Sequence, residues 1–171
     1  MLIPVVLALT LAQSQDITLS LGALNGPNTK AGLYLGANYA HRIVHRPGIA
    51  LSGQLDFAAS PNRKSSVLDP LGSRDVASLY VIPGLRLSFM PNKRFSPFIA
   101  GGVGLASYEQ SALLQNGKPY PGSRAQNDFA VSGAVGMDVH ILRFAGLRFE
   151  IKNYQKDVAA GVGLHFRWGA K

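Results

Sequence analysis

A histidine can activate a serine for nucleophilic attack, so the four histidines of this chain, His41, His45, His140 and His165, are the first residues to weigh. The residue two beyond His165 is Arg167 rather than a serine, so the expected role of His165 is electrostatic. His41 and His45 flank a short turn beside Arg42 and Arg46, and His140 opens another turn; these read as solvated turn residues. With no cysteine, thiol nucleophiles, Cys-based metal sites and disulfides are all excluded. No spacing of Asp, Glu and His repeats in a way that builds a closed metal site, and no paired carboxylates suited to glycoside cleavage stand out. Gly101-Gly-Val-Gly104 lies inside a strand pattern and opens no helix. It reads as space for a large neighbour rather than as a phosphate cradle. No cofactor is expected.

The charged residues that remain share one property: they fall on one face of strands. From Ile17 to Trp168 about eight stretches alternate apolar and polar at period two, which means strands, because successive side chains point to opposite sides. Leu147, Phe149 and Ile151 alternate with Arg148, Glu150 and Lys152. Val158, Ala160, Val162, Leu164, Phe166 and Trp168 alternate with Ala159, Gly161, Gly163, His165 and Arg167. The expected strands are Ile17–Leu24, Ala31–Ile43, Ile49–Ala59, Val76–Met90, Phe95–Tyr108, Phe129–Val139, Gly146–Tyr154 and Val158–Trp168. No helical period and no linker interrupts them. Short connections alternate with the two longest, Ser60–Asp75 and Glu109–Asp128, as in an up-and-down barrel with tight turns on one rim and loops on the other.

Alternation needs a solvent on each side, and three features say which. The polar face is mostly small (Ala100, Gly102, Gly104, Ala106; then Ala130, Ser132, Ala134, Gly136), which suits the cramped interior of an eight-stranded barrel. Several runs reach the roughly 9–11 residues that a tilted transmembrane strand needs, against about 5–6 in soluble sheets. The apolar N-terminus, Met1 to Ala12, is too short to span a bilayer and ends in small residues. It reads as a signal peptide within residues 1–14, with the barrel domain in 15–171. Export without cysteine fits a bacterial envelope. The fold class expected is therefore all-β, an eight-stranded antiparallel up-and-down transmembrane barrel, closed because open strand edges in lipid leave unpaired backbone groups.

The inward face then holds Asp56, Arg86, Asp138, Arg148, Glu150, Lys152, His165 and Arg167 as a lumen charge network, with Glu150 expected near Arg167 or His165. Tyr39, Phe89, Phe95, Phe144, Phe166 and Trp168 lie near strand ends, as aromatic girdles do. The formal charge of +8 is scattered in ones and twos with no nucleic-acid motif, so nucleic acid is excluded as a partner and lipid phosphate is favoured. A soluble ligand-carrying barrel is the alternative architecture; it requires the charges outside and Leu, Phe and Trp lining the cavity.

Phe95-Ser-Pro-Phe-Ile-Ala-Gly-Gly-Val-Gly-Leu-Ala-Ser-Tyr108 resembles the mid-barrel strand of small outer-membrane barrels of the OmpA/OmpX-like superfamily. Ala134–His140 running into Gly146–Tyr154 is similar, and Gly161–Trp168 looks like the closing strand that finishes on an aromatic. The chain departs from the pattern where Gly169-Ala-Lys171 follows that aromatic. The resemblance implies location in the bacterial outer membrane and contact with its lipid and lipopolysaccharide. It also implies delivery by the barrel-assembly machinery. A monomer is expected. The two long loops are polar and carry Arg63, Lys64, Arg74, Lys118 and Arg124 as ligand contacts, so a structural, adhesive or surface-interaction role through the loops is expected, with no catalysis. Some barrels of this size are lipid A deacylases, and a lipid A-modifying enzyme is the alternative of a different class.

Overall fold

A computed structural model describes residues 14–27, 29–65, 75–110, 114–115, 118–119 and 124–169. Eight long strands carry the fold: β1 (Gln15–Gly26), β2 (Thr29–Arg46), β3 (Ile49–Lys64), β4 (Asp75–Phe89), β5 (Phe95–Gln110), β8 (Arg124–His140), β9 (Ala145–Tyr154) and β10 (Asp157–Trp168). Two short strands, β6 (Leu114–Gln115) and β7 (Lys118–Pro119), pair with each other in the β5–β8 connection. The eight long strands close into one barrel in the order β1-β10-β9-β8-β5-β4-β3-β2, every neighbour antiparallel. Closure comes from β1 meeting β10, with Gln15 opposite Trp168 and Asn25 opposite Val158. All eight expected strands are present, most of them longer at their ends. The expected signal segment lies outside the described residues apart from Ser14.

The turns follow from local chemistry. Pro47 and Gly48 join β2 to β3; proline sets φ near −65° and Gly48 takes φ 87, which a side chain would strain. Met90 and Gln155 take positive φ at two of the other connections. One end of the barrel, the turn end, holds the connections 47–48, 90–94 and 141–144 together with Ser14 and Gly169. The other, the loop end, holds the remaining connections.

Side chains divide by parity along each strand. Leu19, Leu21, Leu85, Ile99, Leu105, Phe129, Val135, Ile151 and Leu164 all project outward, with Leu105 64% exposed and Phe129 63%. Asp16, Thr18, Asn38, Asp56, Arg86, Asp138, Arg148, Glu150, Lys152 and His165 are buried inside. That is the reverse of a soluble carrier barrel, and it removes the alternative that needs an apolar cavity and a charged exterior. The lumen also holds an apolar cluster toward the loop end, built from Leu24, Tyr34, Tyr80, Ile82, Tyr154 and small alanines.

Small residues make room for large ones, though not everywhere as expected. A Cβ on Gly136 would stand 2.5 Å from the Phe98 ring, and one on Gly36 would stand 2.5 Å from the Tyr34 hydroxyl. Gly102 and Gly104 are different. A side chain there would meet backbone oxygens of Pro83 at 2.4 Å and Val81 at 2.1 Å. Both glycines permit close approach of β4 and β5, and Gly102 also makes room for the lumen side chain of Ile82, whose Cγ2 would stand 2.8 Å from a Cβ there.

Candidate functional site

The lumen is filled by three tiers of paired charge. At the turn end, Arg148 makes a two-pronged bond to Asp138, Nε to Oδ1 at 2.6 Å and Nη2 to Oδ2 at 3.0 Å. β8 and β9 place them directly opposite each other. Arg86 reaches across the bore to Asp16, Nη2 to Oδ2 at 2.5 Å. Phe98 lies between the two guanidinium groups, 5.7 Å from Arg86 and 4.8 Å from Arg148. A ring face beside a partly desolvated guanidinium attracts it, so Phe98 steadies both. His165 sits in the same tier, its Nδ1 3.4 Å from Thr18 Oγ1 and 3.4 Å from Arg148 Nη2.

In the middle tier Lys152 donates to Asp56 Oδ1 at 2.6 Å and lies 3.1 Å from Glu150 Oε1. Ser20 donates to Glu150 at 2.9 Å, and Tyr154 donates to Asp56 Oδ2 at 2.7 Å. At the loop end Arg63 donates from Nη2 to Asp157 at 2.9 Å and Ser78 at 3.1 Å, and from Nη1 to Thr29 at 3.1 Å. Tyr80 donates to the same Asp157 oxygen and stacks on Tyr154 with ring centroids 4.5 Å apart.

Each of the five buried lumen carboxylates, Asp16, Asp56, Asp138, Glu150 and Asp157, accepts at least one hydrogen bond. Four cations, Arg63, Arg86, Arg148 and Lys152, are buried with them. Half-buried Arg167 lies just below, donating from Nη1 to the Pro91 carbonyl at 2.9 Å. Charges removed from water are costly unless paired and hydrogen-bonded; here each carboxylate has a cationic partner, while Asp16 Oδ1, Arg63 Nε, Arg86 Nε and Arg86 Nη1 have no hydrogen-bond partner.

All eight residues anticipated for the network project inward, but their partners differ in part. Glu150 pairs with Lys152 and Ser20, not with Arg167 or His165. The register explains this: Glu150 faces Gly161 on β10, whereas His165 faces Gly146, four residues further along the strand. Asp16, Asp157, Tyr34, Tyr80 and Arg63 belong to the same network and were not anticipated in it. Asp16 could have been found by extending β1 two residues beyond Thr18 at period two.

Arg63 is a correction. It was expected in a loop, free for ligand; it is 1% exposed inside the barrel. Ser60-Pro61 resembles the start of a loop, yet β3 continues to Lys64 through a register shift between Ser60 and Arg63. That bulge inverts the inside–outside parity and turns Arg63 into the lumen. Lys64 is exposed and paired with Asp75 at 2.6 Å. Lys118 stands in β7 and Arg124 at the first position of β8, so neither belongs to an extended loop. Arg74 lies outside the described residues.

An apolar exterior, a closed antiparallel sheet and a charged, filled bore together set the architecture. This chain has the fold of the small outer-membrane β-barrels of the OmpA/OmpX-like type. Solved structures with this fold include Ail, the attachment invasion locus protein of Yersinia pestis, with a TM-score of 0.60 and 12% identity over 91% of this chain and 97% of that one. Neisserial surface protein A aligns with a TM-score of 0.62 and 9% identity over 92% and 97%. OprG of Pseudomonas aeruginosa aligns with a TM-score of 0.62 and 15% identity over 93% and 97%. No family model matches the chain, and no curated protein matches its sequence. At such identities the likeness is one of fold. The outer-membrane-type barrel of this chain has a further asymmetry between its ends. Among the described residues the acids outside the buried lumen network, outward Asp75 and Glu109 and rim-facing Asp128, all stand at the loop end. Arg42, Arg46, Lys93, Arg94 and Arg143 all stand at the turn end.

Proposed function

We propose that the chain is an integral protein of the bacterial outer membrane, a closed and non-conducting scaffold that presents surface contacts from its loop end. One observation carries this reading. The wall is apolar while the bore is occupied by paired charges and stacked tyrosines, so lipid suits the outside and interacting side chains take up the described bore. In the hydrocarbon region every backbone group needs an internal partner, and a closed barrel provides it.

Surface interaction as the role is supported by the protruding β5–β8 hairpin, whose register continues to Gln110 opposite Arg124, and by the β6–β7 hairpin set into its connection. The regions concerned are 60–75 and 109–128, with Lys64, Arg74, Lys118 and Arg124 as the cations available to lipopolysaccharide phosphate. Ail is by name an attachment invasion locus protein, which makes adhesion a reasonable class to test. The reading includes no catalysis: His165, 1% exposed, faces Thr18 and Arg148 inside the barrel, away from any lipid substrate at the wall.

Purified protein run on a gel in SDS with and without boiling should show two positions, and planar bilayers containing it should stay electrically silent. An unchanged band would overturn the membrane reading; stepwise conductance would overturn the closed bore. Titration with lipopolysaccharide should be weakened by reversing Lys64, Lys118 and Arg124 together, and equal binding by both proteins would end the loop-contact reading.

A further inference from the structure

At the turn end five separate stretches of chain, Ser14 before β1 among them, converge on a half-open pocket of about 490 Å³. Its cations come from β2 (Arg42), the β4–β5 turn (Lys93, Arg94), the β8–β9 turn (Arg143) and β10 (Arg167). The backbone knits these stretches together: Arg42 N–H donates to Ser14 O at 3.0 Å, His140 N–H to Arg94 O at 2.8 Å, and Arg167 N–H to Phe144 O at 2.8 Å. The cations are therefore held in register by the barrel rather than scattered on independent loops.

Among the described residues no Asp or Glu lines the pocket. The nearest carboxylates, Asp16 and Asp138, are committed to Arg86 and Arg148 in the tier above. Two lining groups, Arg167 Nε and His140 Nε2, are buried without a hydrogen-bond partner. Five gathered cations repel one another, and the buried Arg167 Nε–H is a donor without an acceptor, so the pocket suits an oxyanion. One wall is apolar. Leu142, Phe144 and Trp168 line it with 54%, 60% and 44% of their surfaces exposed, and they continue the greasy exterior. A ligand that satisfies both walls has an anionic head and an apolar tail.

We propose that this pocket binds the phosphodiester head of an anionic phospholipid, with its acyl chains lying against Phe144 and Trp168. The proposal rests on the membrane reading above. Headgroup phosphate accepts from several guanidinium groups at once, and basic pockets at a membrane surface favour such lipids. Inorganic phosphate would meet the cations but leave the apolar wall unused.

Trp168 is the only tryptophan, so its fluorescence reports on this site directly. The protein is reconstituted in phosphatidylcholine vesicles containing a small fraction of brominated phosphatidylglycerol, or the same fraction of brominated phosphatidylcholine. Preferential quenching by the anionic lipid is expected. The exposed double variant Lys93→Glu/Arg143→Glu, which leaves the lumen intact and should keep its heat-dependent gel shift, should need about tenfold more anionic lipid for the same quenching. Lys156→Glu, exposed in the β9–β10 turn at the opposite end, should behave as the parent protein. Equal quenching by the two brominated lipids, or a double variant that matches the parent, overturns the proposal while leaving the membrane reading standing. No quenching by either lipid overturns the membrane reading itself. Loss of the anionic preference on adding millimolar inorganic phosphate at constant ionic strength would show a free-anion site and overturn the lipid assignment.

Discussion

On β9, Phe149 and Ile151 project outward with 43% and 56% of their surfaces free, while Arg148, Glu150 and Lys152 between them are almost wholly enclosed. Adjacent residues of one strand thus obey opposite rules. The outer face contributes through its medium: any apolar side chain of moderate size transfers favourably into hydrocarbon, and the identity of its neighbours matters little. The inner face contributes through geometry. Arg148 is useful because Asp138 lies opposite it across two hydrogen bonds, and neither has a substitute partner of equal quality. Tolerance to mutation should therefore be broad outside and narrow inside, with position on the strand deciding which applies.

The largest expected effect tests the inner face. Arg148→Met leaves Asp138 enclosed and without its cationic partner, and should lower folding stability by about 3–5 kcal/mol in urea titrations into lipid vesicles. Pairing it with Asp138→Leu should recover much of that loss, because removing both charges costs less than removing one. A double variant as unstable as the single one would mean that the pair acts through the wider network instead. The outer face should respond to polarity at mid-wall. Val162 lies opposite both Phe149 and Leu21. Val162→Arg should cost about 2–4 kcal/mol in the same titration, whereas Val162→Leu should be nearly silent. If arginine were tolerated there as well as leucine, hydrocarbon could not be the outer solvent. The smallest effect belongs to a charge pair outside both regimes. Lys64 and Asp75 are 58% and 47% exposed, so Lys64→Ala should change stability by less than about 1 kcal/mol although the ions stand 2.6 Å apart.

Much of this was legible in the chain. Strict alternation around Leu147–Lys152 and Val158–Trp168 fixes parity for the whole strand, because on a pleated backbone one side chain's direction sets all the others. The small inward residues of β5 and β8 likewise announced a narrow bore. What failed did so where parity itself was broken. The bulge between Ser60 and Arg63 adds a step that composition does not reveal, and Pro61 reads as a loop until the β4 partner is seen beside it. The tyrosines of the bore were missed for another reason. Tyr34 and Tyr154 are as much at home in an interfacial belt as in a lumen, and only their contacts with each other and with Asp56 distinguish the two.

The sequence by itself determined the eight long strands, the face on which the charges of unbroken strands would lie, and the solvent each face demanded, because these depend on local periodicity and on side-chain polarity; Arg63, beyond the bulge, is the exception. Which carboxylate meets which cation was decided by the tertiary structure. Arg86 finds Asp16 and Lys152 finds Asp56 across the closed bore, between strands that are not hydrogen-bonded neighbours. The gathering of Arg42, Lys93, Arg143 and Arg167 around one pocket was decided there too. Register, tilt and closure bring distant positions together, and those are properties of the whole sheet that no single strand carries.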